Sequence, residues 1–485
     1  MKSRYGLVVA LLCTLLLFFA LGKSQLQNST EPRVAGIAME MHLSGSWVTP
    51  TLNGAPFLEK PPLSLWLDAS AIRAFGAVPF AVRLASVCAG LLTLWLLYVM
   101  LRRFHRPRLI ALGAVCLLVT TATFWGNARQ VGEDALLALG VATALLAFFQ
   151  ASRDRQQPTL PLGVWLLFSL GIVISTLSKG VLGLALPGVV IFAYLLAETL
   201  IERRLVLRHW LRPLLFTLLA LVPLLVWLYL LFGQGGVDAL KAVLWTNSVG
   251  RFSGSFEDAG HYEPFYYYLS KLPEAFLPWN LLVYLGLWHF RKQLRSNRYL
   301  LFFSLWLLAQ FLLLTLASSK RMVYLMSLTP PAAVIAMEYL AALQARLRQR
   351  AETSDTARRW LKRSPAMAAS VFALVCVGYL ASAQWLAPRA DLTVSLEPLT
   401  HRVQALQAEG RHVVLFQPSE RLAGASVFYS HSLLDTVQDD NQLQTLLSHS
   451  ASTVAIMEKT EPPLPPLTIV DQVKVGDRVY YFVSR

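Results

Sequence analysis

Charged side chains are scarce in this chain. Asp, Glu, Lys and Arg make up 15% of its 485 residues, against 55% hydrophobic ones. That shortage excludes an ordinary soluble domain, and a mean hydropathy of +0.50 points to a polytopic membrane protein. Acidic groups are the scarcer sign, 28 against 43 Lys and Arg, which leaves a formal net charge of +15. Such an excess can serve nucleic acid, but here it falls in short clusters between apolar runs. These are Arg102, Arg103, Arg106 and Arg108; Arg203, Arg204, Arg208 and Arg212; Arg291, Lys292, Arg295 and Arg298; and a stretch from Arg346 to Arg363. This is the positive-inside pattern that orients a membrane chain, so the partner is the bilayer and no nucleic acid is expected. Cysteine is also sparse. Cys13, Cys88, Cys116 and Cys376 all lie inside apolar runs, which excludes a disulfide framework and shows no metal-ligand spacing.

What the chain has in quantity is long apolar runs. A span needs about 20 mostly apolar residues, and about eleven such runs can be counted. They lie near 5–22, 79–101, 109–126, 134–150, 160–177, 180–199, 213–233, 276–290, 298–317, 322–342 and 366–387. The first is read as an uncleaved span rather than a signal peptide, because it is longer than a typical signal core and Ala20-Leu21-Gly22 is a weak cleavage site. The weakest boundary is Ser178-Lys179-Gly180. With the N-terminus inside, every arginine cluster falls on the cytoplasmic side. The external segments are then 23–78, 127–133, 178–179, 234–275, 318–321 and everything after about 388. The fold expected is a polytopic α-helical membrane domain over 1–387 with a small periplasmic α/β domain over 388–485.

Loop 23–78 carries its own structure. Thr30-Glu31-Pro32-Arg33 reads as a helix start with Thr30 as N-cap, and Val34, Ile37, Ala38 and Met41 follow at helical spacing. An amphipathic helix along the membrane interface is expected, ending at Ser44-Gly45-Ser46. Asn53-Gly54 marks a turn, and Pro61-Pro62 opens a second helix from Leu63 to about Phe75. In the tail, 411–417, 425–429, 453–458, 467–475 and 478–483 read as strands, with Gly476-Asp477 a hairpin turn. The stretches 419–424 and 439–448 read as helical, and Pro462–Pro466 as a stiff linker.

The external segments gather ionisable residues at membrane depth: Glu31, Arg33, Glu59, Lys60, Arg129, Asp134, Lys179, Arg251, Glu257, Asp258, His261, Lys320 and Arg321. Any one of them can be a snorkelling anchor. Together they place many cations and several acids on one face, which suits a phosphate or pyrophosphate and the activation of a hydroxyl nucleophile. Glu59-Lys60, beside Pro61-Pro62, is the most pointed pair, since charges there are costly to desolvate without a role.

These motifs resemble, in order, the aminoarabinose lipid A transferases, which belong with the protein O-mannosyltransferases among the membrane-embedded GT-C glycosyltransferases. The resemblance runs through Thr30-Glu31-Pro32-Arg33, Gly45-Ser46-Trp47-Val48-Thr49-Pro50, Glu59-Lys60-Pro61-Pro62 and Ala128-Arg129-Gln130-Val131-Gly132-Glu133-Asp134. It continues through Ser178-Lys179-Gly180, Arg251-Phe252, His261, Leu277-Pro278-Trp279 and Ser319-Lys320-Arg321-Met322-Val323-Tyr324. It implies transfer of a sugar from an undecaprenyl-phosphate donor to lipid A or related lipopolysaccharide at the periplasmic face of the inner membrane. It also implies that Arg33, Lys60, Arg251, His261, Lys320 and Tyr324 hold the donor phosphate. Glu59 with His261 would bind a divalent metal ion, and Asp134 would be a catalytic carboxylate. One departure stands out: the family's loop begins Asp-Glu-x-Arg, and Thr30 replaces that Asp, so Glu31 is the expected substitute. The alternatives are a transferase acting on protein or another envelope glycan, and a lipid-linked sugar flippase. A transporter predicts internal repeats and mid-membrane charges, and neither is seen here.

Overall fold

Apolar residues in runs this long bury or meet lipid on every side, and each of the eleven runs contains helix in a computed structural model describing residues 4–153, 162–255, 261–450, 452–459 and 467–485, the first being a helix of 15 residues and the eighth one of 11. Among the described residues, seven helices are long and apolar enough to cross a membrane, or eight if Arg108–Val119 and Ala122–Ala128, bent by 67°, form one span. One of these, Leu162–Glu202, is not straight. Lys179 and Gly180 leave helical geometry, and Gly180 takes φ 52° with ψ −124°, a region open essentially to glycine. A Cβ on Gly183 would lie 1.9 Å from the carbonyl oxygen of Ser175, so the chain folds back on itself there. The weakest boundary in the sequence is a helical hairpin.

Small residues set what packs beside that hairpin. A Cβ on Gly140 would come within 2.5 Å of the Ser175 nitrogen, and one on Gly171 within 2.3 Å of the Ala144 nitrogen. The helix Asp134–Arg153 and the part of Leu162–Glu202 before the break at Lys179 therefore run antiparallel, backbone against backbone. This brings the start of the first, Asp134, beside the end of the second, Lys179. At the opposite end the arginine clusters meet acids. Arg106 clasps Glu338, which also accepts from the Tyr299 hydroxyl at 3.1 Å, and Arg298 pairs with Glu202 at 2.7 Å. Basic clusters and polar loops thus occupy opposite ends of the bundle.

The loop after the first span contains the helices Thr30–Ser44 and Leu63–Phe75, with an Asn53-Gly54 hairpin between them. Gly45 ends the first helix in the left-handed region, at φ 69°. The N-cap differs from expectation. Asn28 Oδ1 accepts from the Thr30 and Glu31 nitrogens at 2.7 and 3.1 Å, which leaves the Thr30 hydroxyl for another use. Nor does this helix lie open on the membrane interface. Val34, Ile37, Ala38 and Met41 are buried with Leu65, Ala69 and Ile72 on one side and Val427 and Phe428 on the other. Gly36 and Gly424 let the helices Thr30–Ser44 and Glu420–Ser430 touch: a Cβ on Gly36 would sit 2.4 Å from the Gly424 Cα.

Glu420–Ser430 belongs to the C-terminal α/β layer. Its strands lie in the order Asp435–Val437, His412–Phe416, Thr453–Lys459, Arg478–Ser484, Thr468–Val475, the first three parallel and the last two antiparallel. The strand expected over 425–429 is instead this helix, capped by Ser419 accepting from the Leu422 nitrogen. Tertiary burial of Val427 and Phe428 outweighs their strand preference. The Pro462–Pro466 linker lies outside the described residues.

Candidate active site

Pro61 and Pro62 end the extended run after the hairpin and start the Leu63–Phe75 helix, and this fixes Glu59 and Lys60 at the mouth of the bundle. The antiparallel pair of Asp134–Arg153 and the first part of Leu162–Glu202 delivers Glu133, Asp134 and Lys179 to the same place. Acids and bases then alternate through it. Glu420 pairs with Arg33 at 2.7 Å, Arg33 with Glu59 at 3.6 Å, and Glu59 with Lys60 at 3.4 Å. Lys60 meets Glu133 at 2.5 Å, Glu133 meets Lys179 at 3.5 Å, and Lys179 contacts Asp134. Lys179 also lies 4.3 Å above the ring centre of Tyr324. Lys60 keeps 21% of its side chain exposed, whereas Glu133 keeps 3% and Lys179 4%. Burial alone would push the Glu133 carboxyl up; the ammonium groups of Lys60 and Lys179 reverse this and hold it well below the usual carboxylate range.

Two cavities flank this chain of charges. One, of about 310 Å³, has Glu59, Lys60, Lys179 and Tyr324 at its polar end and apolar walls that include Val181, Leu182, Val249, Phe252, Leu313 and Leu314. That shape suits an anionic head on a hydrocarbon tail. The other, of about 190 Å³, is polar and is lined by Thr30, Asn127, Gln130, Asp134 and Arg321 among others. Arg321 donates to the Thr30 hydroxyl at 2.9 Å. Asp134 lines this second cavity and Lys179 the first, so their ion pair links the two linings.

Not every expected residue faces a cavity. Glu31 is 1% exposed, and Arg83 grips both its oxygens at 2.9 Å while the Gln27 and Val131 nitrogens donate to them at the same distance. With every lone pair engaged, Glu31 is an anchor and does not substitute for the missing Asp. Lys320 turns its ammonium to the carbonyls of Ala317 and Glu263 at 2.5 and 3.0 Å and lines neither cavity. His261 is exposed, and its carbonyl accepts from the Lys320 nitrogen at 2.8 Å. The Arg251 side chain, Glu257 and Asp258 lie outside the described residues. Among the described residues no three His, Cys, Asp or Glu side chains converge as metal ligands, and Glu59 sits between two cations. No step is assigned to a metal.

Sequence reasoning assigned no specific role to Glu133, Lys179 or Glu420, although Lys179 stood among its external ionisable residues. Their signal was weak. Glu133 precedes a more conspicuous Asp, Lys179 sits at the least certain span boundary, and Glu420 lies in the soluble layer.

Asp68, on the Leu63–Phe75 helix, is buried with no hydrogen-bond partner for either oxygen among the described residues. Burial, then the charge of Glu133, pushes its carboxyl well above the usual range. The folded protein thus holds a proton there that the unfolded chain has lost above about pH 4, so wild-type stability falls as pH rises from that point. Asp68→Asn is expected to be more stable than wild type, with a gain that grows from pH 5 to pH 7 by up to roughly 1.4 kcal/mol per pH unit. Thermal unfolding of the detergent-solubilised proteins at both pH values checks this. A gap that shrinks or reverses refutes it.

The family described as dolichyl-phosphate-mannose-protein mannosyltransferase matches residues 59–227. The chain is 29% identical over 338 residues to an undecaprenyl phosphate-alpha-4-amino-4-deoxy-L-arabinose arabinosyl transferase of Proteus mirabilis, covering 70% of this chain and 60% of that one. It is 31% identical over 312 residues to the corresponding transferase of Pseudomonas aeruginosa strain LESB58, covering 63% and 54%. The chain thus spans little more than half the length of these curated relatives. The crystal structure of ArnT from Cupriavidus metallidurans bound to undecaprenyl phosphate superposes with a TM-score of 0.74 over 99% of this chain and 98% of that one, at 20% identity. This multi-pass membrane protein thus has the fold of that aminoarabinose-transferase structure, and over these stretches its sequence is similar to the arabinosyl transferases and to the protein-mannosyltransferase family.

Proposed function

We propose that the chain transfers a monosaccharide from an undecaprenyl-phosphate donor to lipid A or related lipopolysaccharide at the periplasmic face of the inner membrane. The observation that carries this reading is the cavity of about 310 Å³ with two lysines and a tyrosine at one end of an apolar trough. A polyprenyl tail fits the trough, and its phosphate fits Lys60, Lys179 and Tyr324. The sugar then points past the Asp134–Lys179 pair into the polar cavity, where Arg321, Asn127 and Gln130 offer donors to an anionic or hydroxylated acceptor. In the transfer, the bond from the anomeric carbon to the phosphate oxygen breaks and its electron pair stays on the phosphate. The acceptor oxygen bonds to the same carbon. Fixed ammonium groups stabilise the charge that develops on the leaving phosphate. Asp134, on the polar side, is the carboxylate placed to take an acceptor proton.

The sugar is proposed to be 4-amino-4-deoxy-L-arabinose, for which the sequence relatives are named. The arginine clusters at the opposite end of the bundle support the periplasmic side for the site. The test uses the full chain in lipid nanodiscs with undecaprenyl-phosphate-linked aminoarabinose and lipid A, read by mass spectrometry. Lipid A is expected to gain one pentosamine, and Asp134→Asn to lose most of this activity. Unmodified lipid A, with donor moved intact between leaflets, would establish the flippase instead.

A further inference from the structure

The two lysines at the polar end of the apolar cavity are already matched by acids. Lys60 and Lys179 share Glu133 at 2.5 and 3.5 Å, and Lys179 also holds Asp134. With Glu59 also beside Lys60 at 3.4 Å, and itself held by Arg33, the two ammonium groups carry no excess positive charge and attract a phosphate weakly. Glu133 does not line the apolar cavity. It lines instead a small space of about 30 Å³ shared with Lys60, Arg33, Glu59 and Ser64. A buried carboxylate that touches both lysines without lining the ligand space competes with a bound phosphate for those cations. Resting on the donor reading above, we infer that Glu133 is a positioning residue that competes with the lipid phosphate for Lys60 and Lys179 and so expels the spent carrier.

The charge change in the reaction gives this competition its purpose. The donor is a phosphodiester with one negative charge. Once the anomeric C–O bond has broken and the electron pair has moved to phosphate, the carrier is a monoester with up to two. Two unopposed lysines would hold the product more tightly than the substrate and stall turnover. Glu133 moves both affinities down, and the doubly charged product's more, because the lost attraction scales with ligand charge.

Glu133→Gln removes the competitor and keeps the shape. In nanodiscs carrying the full chain, undecaprenyl phosphate is expected to bind about tenfold tighter than to wild type and the sugar-linked diester about threefold tighter. KM and kcat for transfer should fall together, with a burst of product in the first turnover as release becomes limiting. A purely structural role would not change the monoester-to-diester affinity ratio. Equal or weaker monoester binding by a folded Glu133→Gln overturns the inference. If that variant does not fold, Glu133→Asp takes its place. It keeps the charge but withdraws it by one methylene, so tightening of a few fold is expected, and none overturns the inference as well. A wild-type protein that binds neither lipid would overturn the donor reading, and this inference with it.

Discussion

Lys60→Ala is expected to lower sugar transfer by about 10²–10³-fold while the protein still inserts and folds. Lys60 is the most exposed cation of the buried set, at 21%, and lines the apolar cavity within reach of Glu59 and Glu133. A fixed ammonium at a leaving phosphate acts mainly in the transition state, so the loss should appear in kcat as well as in kcat/KM. Removing it also leaves Glu133 with Lys179 as its remaining ion-pair partner, so a thermal-stability measurement must accompany the rates. Lys60→Arg restores the charge and is expected to recover part of the activity, since a planar guanidinium meets phosphate in a different geometry. Initial rates measured by mass spectrometry of the glycolipid product check all three proteins. A folded Lys60→Ala with wild-type rates would remove Lys60 from the phosphate site and leave the functional reading without its main support.

The second large effect falls on stability. Glu31→Gln and Arg83→Ala each break a buried bidentate pair, 1% and 3% exposed, at a cost of about 3–5 kcal/mol. The same arginine donates to the carbonyls of Leu21, Ser24 and Gln25, and the same glutamate accepts from the Gln27 and Val131 nitrogens. One ion pair thus ties the end of the first span, the start of the Thr30–Ser44 helix and the loop that carries Glu133. Both variants should unfold at clearly lower temperature and show activity in proportion to the protein that remains folded. Glu31→Gln with wild-type thermal stability and a collapsed kcat would return Glu31 to the catalytic list.

Local chemistry made much of the molecule readable from its residues. Hydropathy marked the helical runs because lipid imposes a length and an apolarity that soluble cores do not. Pro61-Pro62, Gly45 and Asn53-Gly54 marked the helix start, the helix end and the hairpin turn, each by a backbone constraint that needs no partner. Lys60, Asp134 and Tyr324 were named from motif order, and the structure brings them to one charge cluster with its cavities.

Other assignments failed where the deciding partner is distant in the chain. Ala425–Tyr429 has the composition of a strand but folds as a helix, because Phe428 and Val427 pack onto Thr30–Ser44. Thr30 looked like an N-cap until Asn28 took that role and Arg321, far along the chain, took its hydroxyl.

The sequence by itself determined that this chain crosses a membrane many times, which end holds the arginines, and that its acids and bases collect in the loops of the other end. Length, apolarity and charge sign are additive along a chain, so they survive without knowledge of the fold. Which charge meets which was left to the tertiary structure. Glycines at 140 and 171 let two helices touch, and that contact sets Asp134 against Lys179 and Glu133 between two lysines. The same packing turned Glu31 from a candidate catalyst into an anchor. Ion pairing depends on distances of a few ångströms between residues tens to hundreds apart, and only the packed bundle supplies them.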